Sequence, residues 1–253
     1  ARRPEDLDLE RAARDAAVRA TRLLGARQPA SQRLTVVLEP RMTAQLLGVL
    51  GAALSGEAVL KGRSMFAGRE GETVAVGAFT LVDDPTIPEA YGATPFDAEG
   101  LATRRNVLVD RGVLAGFLHN AYTGRRAGTG SAASAVRPGF KGTPSAGARA
   151  LVPVPGDADQ ADLLAAVGEG LLVQTMQGLH SGTNPVSGDF SVGVEGLMVR
   201  GGELAEPVRE ATIASTLQRI LQDIVAVGGD LEWFPGNAAG VTLVIRDVTI
   251  SGT

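Results

Sequence analysis

Two imidazoles and no thiols limit the chemistry open to this 253-residue chain. His119 and His180 are too far apart in sequence to form the paired ligands of an HExxH helix, so with Cys also absent the chain offers no self-contained zinc site. His180 sits in Gly178-Leu179-His180-Ser181-Gly182-Thr183-Asn184-Pro185-Val186-Ser187-Gly188-Asp189-Phe190-Ser191-Val192-Gly193. That run has too few apolar residues to bury itself and too many turn formers for helix or strand. It reads as a polar shelf for a ligand, shaped by glycine, an Asn-Pro turn and Ser and Asp side chains bonded to amides. A plain surface loop is the competing reading. His180 with Ser181 or Ser187 and Asp189 supplies the residue types of a serine hydrolase, but no GxSxG elbow holds them.

A second polar group is His119-Asn120-Ala121-Tyr122 followed by Arg125-Arg126. His119, Tyr122 and Arg125 can hold a peptide carbonyl or carboxylate by charge-assisted bonds. The alternative is a satisfied strand-end histidine beside solvated arginines. The glycine-rich stretch 124–147 contains neither GxxxxGK[ST] nor GxGxxG, so a nucleotide cradle has no support.

Apolar periodicity supplies the elements that must position these groups. Residues 7–24 read as an amphipathic helix stopped by Gly25, 34–38 as a buried strand, and 43–54 as a helix capped by Thr43 and closed by Gly56. A strand is expected over 74–82, a long loop over 83–95, and β-hairpins over 107–114 and 197–204. Residues 122–146 carry no stable period and read as a linker or a second polar loop. A strand over 148–154, a helix over 159–167 and a strand over 171–176 lead into the His180 run. Residues 211–227 place Ile213, Leu217, Ile220, Leu221 and Ile224 at helical spacing before Gly228-Gly229 and predict a helix, and 241–250 alternates as a strand. The fold class expected is α+β, mostly antiparallel sheet with a few amphipathic helices packed on it.

A hydrophobic content of 44% gives a normal globular core, while 33 glycines and 4% aromatics indicate aliphatic packing and many turns. Net charge is −4 and no block of Lys or Arg tracks phosphates, which disfavours nucleic acid as a partner. The longest apolar run, 46–54, falls short of the roughly 20 residues of a membrane span. Ala1-Arg2-Arg3-Pro4-Glu5-Asp6 has no signal core, and the absence of Cys fits a reducing compartment, so a cytoplasmic location is expected.

The ordered succession of residues 178–193, Gly196-Leu197-Met198-Val199, Pro207-Val208, Ala211-Thr212-Ile213-Ala214 and Ala226-Val227-Gly228-Gly229-Asp230-Leu231 resembles the C-terminal domain of the TldD/PmbA family, in its PmbA or TldE branch. The resemblance runs from about Glu39 to the end. It implies a cytoplasmic two-subunit peptidase in which a zinc-bearing TldD-like subunit pairs with a TldE-like subunit lacking the metal. The zinc branch carries HExxxH on a helix and a late Cys. Here the matching positions hold Gly48, Val49 and Ala53, and the late loop is Asn237-Ala238-Ala239-Gly240. Ligands and general base are thus missing together.

The resemblance therefore implies no catalytic residue and no cofactor in this chain, with zinc expected only in the partner. It also implies an unstructured peptide as substrate, added to an exposed strand edge. His180, Ser181, Asn184, Ser187, Asp189, His119, Tyr122 and Arg125 are the candidate substrate or partner contacts. Residues 1–27 are expected to form a connecting helix and 28–253 the domain, the chain being either an excised C-terminal domain or a shortened member; self-association stays open. The family's other name, modulator of DNA gyrase, is expected to reflect an indirect effect of proteolysis. Two rival readings remain: a stand-alone peptide or small-ligand scaffold, and a metal-independent serine hydrolase.

Overall fold

The computed structural model describes residues 7–252. The six residues read as lacking a signal core, and Thr253, lie outside them. The first half of the chain gives α1 (Leu9–Arg22), β1 (Gln32–Leu38), α2 (Pro40–Ala53), α3 (Gly56–Leu60), β2 (Leu81–Asp83), β3 (Asn106–Asp110), β4 (Val113–Leu114), α4 (Ala121–Ala127), β5 (Ala135–Val136) and β6 (Ser145–Ala146). It continues with β7 (Leu151–Pro153), α5 (Gln160–Val167), β8 (Gly170–Gln177), α6 (Leu179–Gly182), β9 (Asp189–Arg200), β10 (Glu203–Thr216), α7 (Leu217–Gln222), β11 (Ile224–Val227), β12 (Glu232–Trp233), β13 (Ala239–Gly240) and β14 (Leu243–Ser251). The fold is α+β and its sheets are mostly antiparallel.

The main sheet runs β1-β8-β9-β10-β14-β11, and β1 pairs again with β14, so five strands close on themselves. The period-2 geometry of a strand then buries both faces. Val36, Leu38, Leu171, Val173 and Met198 join α2 in the larger core, while Val37, Leu172, Val199 and Val244 meet Leu163 and Leu164 of α5. Closure corrects the expectation of an open edge for a peptide: β11 is the one terminal strand of this sheet among the described residues. The expected hairpins are present, each with positive φ at both central residues, Arg111-Gly112 and Gly201-Gly202, as type I′ turns require.

The second sheet, β4-β3-β2-β7, is tied internally by a buried carboxylate. Asp83 Oδ1 accepts from the Arg149 and Ala150 amides at 2.9 and 2.7 Å. Burial pushes its carboxyl above the ordinary range, partly offset by those two amides.

Several elements differ from the sequence reading. Residues 211–227 are not one helix but the end of β10, the short α7 and β11. The helical spacing is genuine only within α7, which Thr216 caps by accepting from the Arg219 amide; the flanking isoleucines belong to strands whose inward side faces the same core. Of 74–82 only Leu81 and Val82 enter a strand, because residues 74–79 bond to Gly112, Leu221 and turns of their own. Helix α2 starts at Pro40 after Glu39, not after Thr43, as proline favours a first-turn position. Gly56 opens α3 instead of closing α2, with Ser55 as its cap. Residues 121–127 form α4 through an Asn120/Thr123 capping box, and β5 pairs with β6, where no regular element was expected. The run 178–193 is not irregular throughout: it holds α6 and the start of β9.

Leu217, Ile220, Leu221, Ile213 and Ile224 are nonetheless all buried. Leu217→Ala and Leu221→Ala are each expected to cost about 2 to 5 kcal/mol, read from urea unfolding; parental stability in both would remove α7 from the core.

Candidate functional site

The loop between α6 and β9 is built by its own hydrogen bonds. Asn184 Oδ1 accepts from the Val186 and Ser187 amides at 2.9 and 3.3 Å, and the Asn184 and Gly188 amides close the loop onto the Asp189 and Asn184 carbonyls. Gly188 has φ 84°, and a Cβ there would collide with the Gln218 side chain. Outside bonds dock the loop: the Met65 amide reaches the Pro185 carbonyl at 2.9 Å, the Leu217 amide the Gly188 carbonyl at 2.7 Å, and Gln218 Nε2 the Ser187 carbonyl at 3.1 Å. Ser187 Oγ donates directly to Asp189 Oδ2 at 2.6 Å, and Ser181 Oγ bonds the Gly178 carbonyl. His180, exposed on α6, takes part in none of these bonds. The serine-hydrolase arrangement is therefore not assembled, since such a triad needs the imidazole between serine and carboxylate.

His119 and its neighbours divide into buried and exposed members. His119 Nδ1 lies 3.1 Å from Thr123 Oγ1, its ring meets Phe117 edge-on at 6.3 Å, and a Cβ on Gly56 would collide with it. Burial pulls the imidazole below the ordinary histidine range, against the opposing charge of Glu70. Tyr122 and Arg125 project into solvent from α4. The two candidate loops approach residues 55–66 from different ends, and among the described residues no hydrogen bond or ion pair joins one to the other.

A groove elsewhere was not anticipated. It lies between α1 and the N-terminal half of α2, floored by β8 and walled by β12 and the residues after it, with two adjoining recesses of about 340 and 760 Å³. Arg41, Gln45, Gln174, Met176, Trp233 and Phe234 line it, and the Arg41 guanidinium stacks 5.1 Å from the Phe234 ring centroid. The groove is mainly polar and charged, with apolar surface from Met176, Trp233 and Phe234 on one side. The one signal in sequence was the single Trp beside Phe234 and Pro235 in a chain otherwise poor in aromatics.

Close packing puts the hairpin of β12 and β13 beside α2. A Cβ on Gly240 would strike the Pro40 carbonyl, and Gly51 leaves room for Leu151, which bridges to Ala238. The late loop and α2 thus meet, as the resemblance requires. Gly48 lies on the same helical face as Arg41 and Gln45, one turn beyond the groove, whereas Ala53 is buried. Glycine, valine and alanine side chains carry no donor atom for zinc, so the residues at these positions do not fit the metal. Among the described residues no group of three or more His, Cys, Asp or Glu is arranged to hold a metal ion. Asp230, from the Gly-Gly-Asp-Leu segment, is structural: it accepts from the Thr242 amide and hydroxyl at 2.8 and 2.6 Å at the entry to β14. No helix among the described residues is long and apolar enough to cross a membrane.

The family model described as the PmbA/TldA metallopeptidase C-terminal domain matches residues 31–252, which places the fold among metallopeptidase C-terminal domains. A "Metalloprotease" of Methanothermobacter thermautotrophicus is 28% identical over 97% of this chain and 56% of its own length. "Metalloprotease PmbA" of Escherichia coli O157:H7 is 28% identical over 94% of this chain and 50% of its own. Among solved structures, TldE from Thermococcus kodakarensis superposes with a TM-score of 0.92 at 28% identity, covering 99% of this chain and 57% of that one. A Thermotoga maritima protein described as a "putative modulator of a DNA gyrase" gives the same TM-score at 30% identity, covering 99% of this chain and 57% of that one. The chain belongs to the PmbA/TldD metallopeptidase family and spans about half the length of the curated relatives it matches.

Two outcomes follow from the loop and the buried imidazole. Asn184→Ala, which strips acceptors from two amides, is expected to destabilise by about 1 to 2 kcal/mol, and His180→Ala by under about 0.5 kcal/mol; urea unfolding of both variants checks the order. Because the fold disfavours protonated His119, its contribution is present above the unfolded value of 6.5 and is lost as pH falls through that value toward the lowered folded one. The pH dependence of stability across this window is expected to flatten in His119→Gln, and unchanged slopes would rule His119 out as its source.

Proposed function

We propose that this chain is the metal-free, TldE-like half of a two-subunit peptidase, contributing a wall of the chamber and a groove for an extended, unstructured peptide. One observation carries the reading: the face of α2 bearing Gly48 continues into the groove, while the positions expected to bind zinc and activate water hold Gly48, Val49 and Ala53. A zinc-bearing, TldD-like partner would supply the metal and the attacking water. This chain would bind and orient, with Met176, Trp233 and Phe234 covering apolar side chains and Arg41 and Gln174 meeting polar ones. Because the main sheet closes, peptide capture is assigned to the groove rather than to strand addition. The loop carrying His180 and Asp189 is left for the partner or for the peptide's far end. A cytoplasmic location accompanies this reading, consistent with a chain free of Cys.

The test is coexpression with a TldD-like subunit from the same source, copurification, and peptide cleavage by each chain alone and by both. The expected result is cleavage by the pair only, with zinc tracking the partner and none held stoichiometrically by this chain after chelator dialysis. Cleavage by this chain alone overturns the proposal in favour of an autonomous hydrolase, and failure to copurify favours a stand-alone binding protein.

A further inference from the structure

Helix α1 roofs the groove although none of its residues is buried, and its long-range polar hold on the body is concentrated in Arg19. Arg19 Nη1 lies 2.6 Å from Glu39 Oε2, and Nη2 donates to the Gln174 backbone carbonyl at 2.9 Å. Both receiving residues are deeply buried, Glu39 at 6% and Gln174 at 3% exposure. Gln174 Nε2 donates to Glu39 Oε1 at 2.6 Å. That bond fixes the amide orientation and turns Oε1 into a buried acceptor with no partner among the described residues. Two acceptors, a carboxylate and a backbone carbonyl, meet at the guanidinium, and the unpartnered amide oxygen is that of Gln174, the residue that supplies the carbonyl. Such a set suits the forked donors of a guanidinium, and a buried carboxylate is costly without a cation beside it.

The present occupant is close to its acceptors but far less buried than they are. Arg19 is 38% exposed and comes from a helix otherwise unburied. The recess it fills is lined by four arginines and four carboxylates, so withdrawing Arg19 leaves one unmatched negative charge. We propose that Glu39 and Gln174 form a recognition subsite for a cationic, arginine-type side chain of the bound peptide, and that Arg19 occupies it as an intramolecular substitute until the peptide displaces it. The inference rests on the reading of the groove as a peptide site and adds to it a substrate class and a roof that opens by cation exchange.

Trp233, the single tryptophan, lines the groove and reports binding by its fluorescence. Two unstructured peptides, identical except for arginine or neutral citrulline at one central position, are titrated against the parent chain, Arg19→Ala and Arg19→Ala/Glu39→Gln. The arginine peptide is expected to bind Arg19→Ala about tenfold more tightly than it binds the parent, and about tenfold more tightly than the citrulline peptide binds Arg19→Ala, with Glu39→Gln abolishing that preference. Equal binding of the two peptides by Arg19→Ala shows the ion pair to be a structural tie and overturns the subsite while leaving the groove. No binding of either peptide to any chain overturns the groove reading as well. Circular dichroism melts accompany each titration, and Arg19→Gln replaces Arg19→Ala if the latter is unfolded, with the same discrimination expected.

Discussion

Strand β14 is hydrogen-bonded along both sides, to β1 on one and to β10 and then β11 on the other, and the rest of the structure depends on this closure. A strand paired on both sides cannot slip by one residue without turning its whole inward row outward, here Leu243, Ile245, Val248 and Ile250. The bulge opposite Thr35, where Arg246 and the left-handed Asp247 of β14 face a single residue of β1, lets β14 follow the curvature, and the divergence of β10 from β14 makes room for α7. Closure also fixes where α2 can lie, since Leu46, Leu47 and Leu50 must cover the inward face of β1 and β8.

The same closure leaves few strand edges on the main sheet. An unpaired strand edge would be a template for any extended chain, whereas a closed sheet exposes little main chain to be matched. Between the elements that the sheet holds apart runs a seam formed by the start of α2, the end of β8 and the aromatic arm of β12. Glu39 and Gln174 sit at that seam because β1 runs directly into α2 and lies parallel to β8, pairing Leu38 with Val173. Their burial is thus a consequence of the sheet's order, and it gives the carboxylate an electrostatic reach that an exposed one lacks.

The fold was legible in sequence wherever one physical cause dominated. The hairpin turns, the span of α5 and the apolar runs of β1 and β8 are set locally, and the sequence places them to within a few residues. Residues 211–227 were misread because strand and helix both send residues inward there. Ala211 and Ile213 alternate in β10 around the left-handed Glu210, Leu217 and Leu221 repeat in α7, and the joined pattern counterfeits a longer helix. The loop at 183–188 was recognised for its turn chemistry. The groove was not, because its residues come from five separated segments and only tertiary packing brings Arg41, Gln174 and Trp233 together.

Gly48, Val49 and Ala53 offer no donor atoms, so α2 and the late loop must be held together by packing, without the folding free energy that a bridging metal ion contributes. This chain joins them by contact instead. Gly240 has no Cβ to hold it away from the Pro40 carbonyl, Gly51 admits Leu151, and Ala53, Ala238 and Ala239 are fully or almost fully buried. Small residues at these places do more than omit ligands: they allow the backbone approach that gives dispersion contacts in place of coordination. The exposed face of α2 leaves Gly48 open, with Arg41 and Gln45 beside the groove.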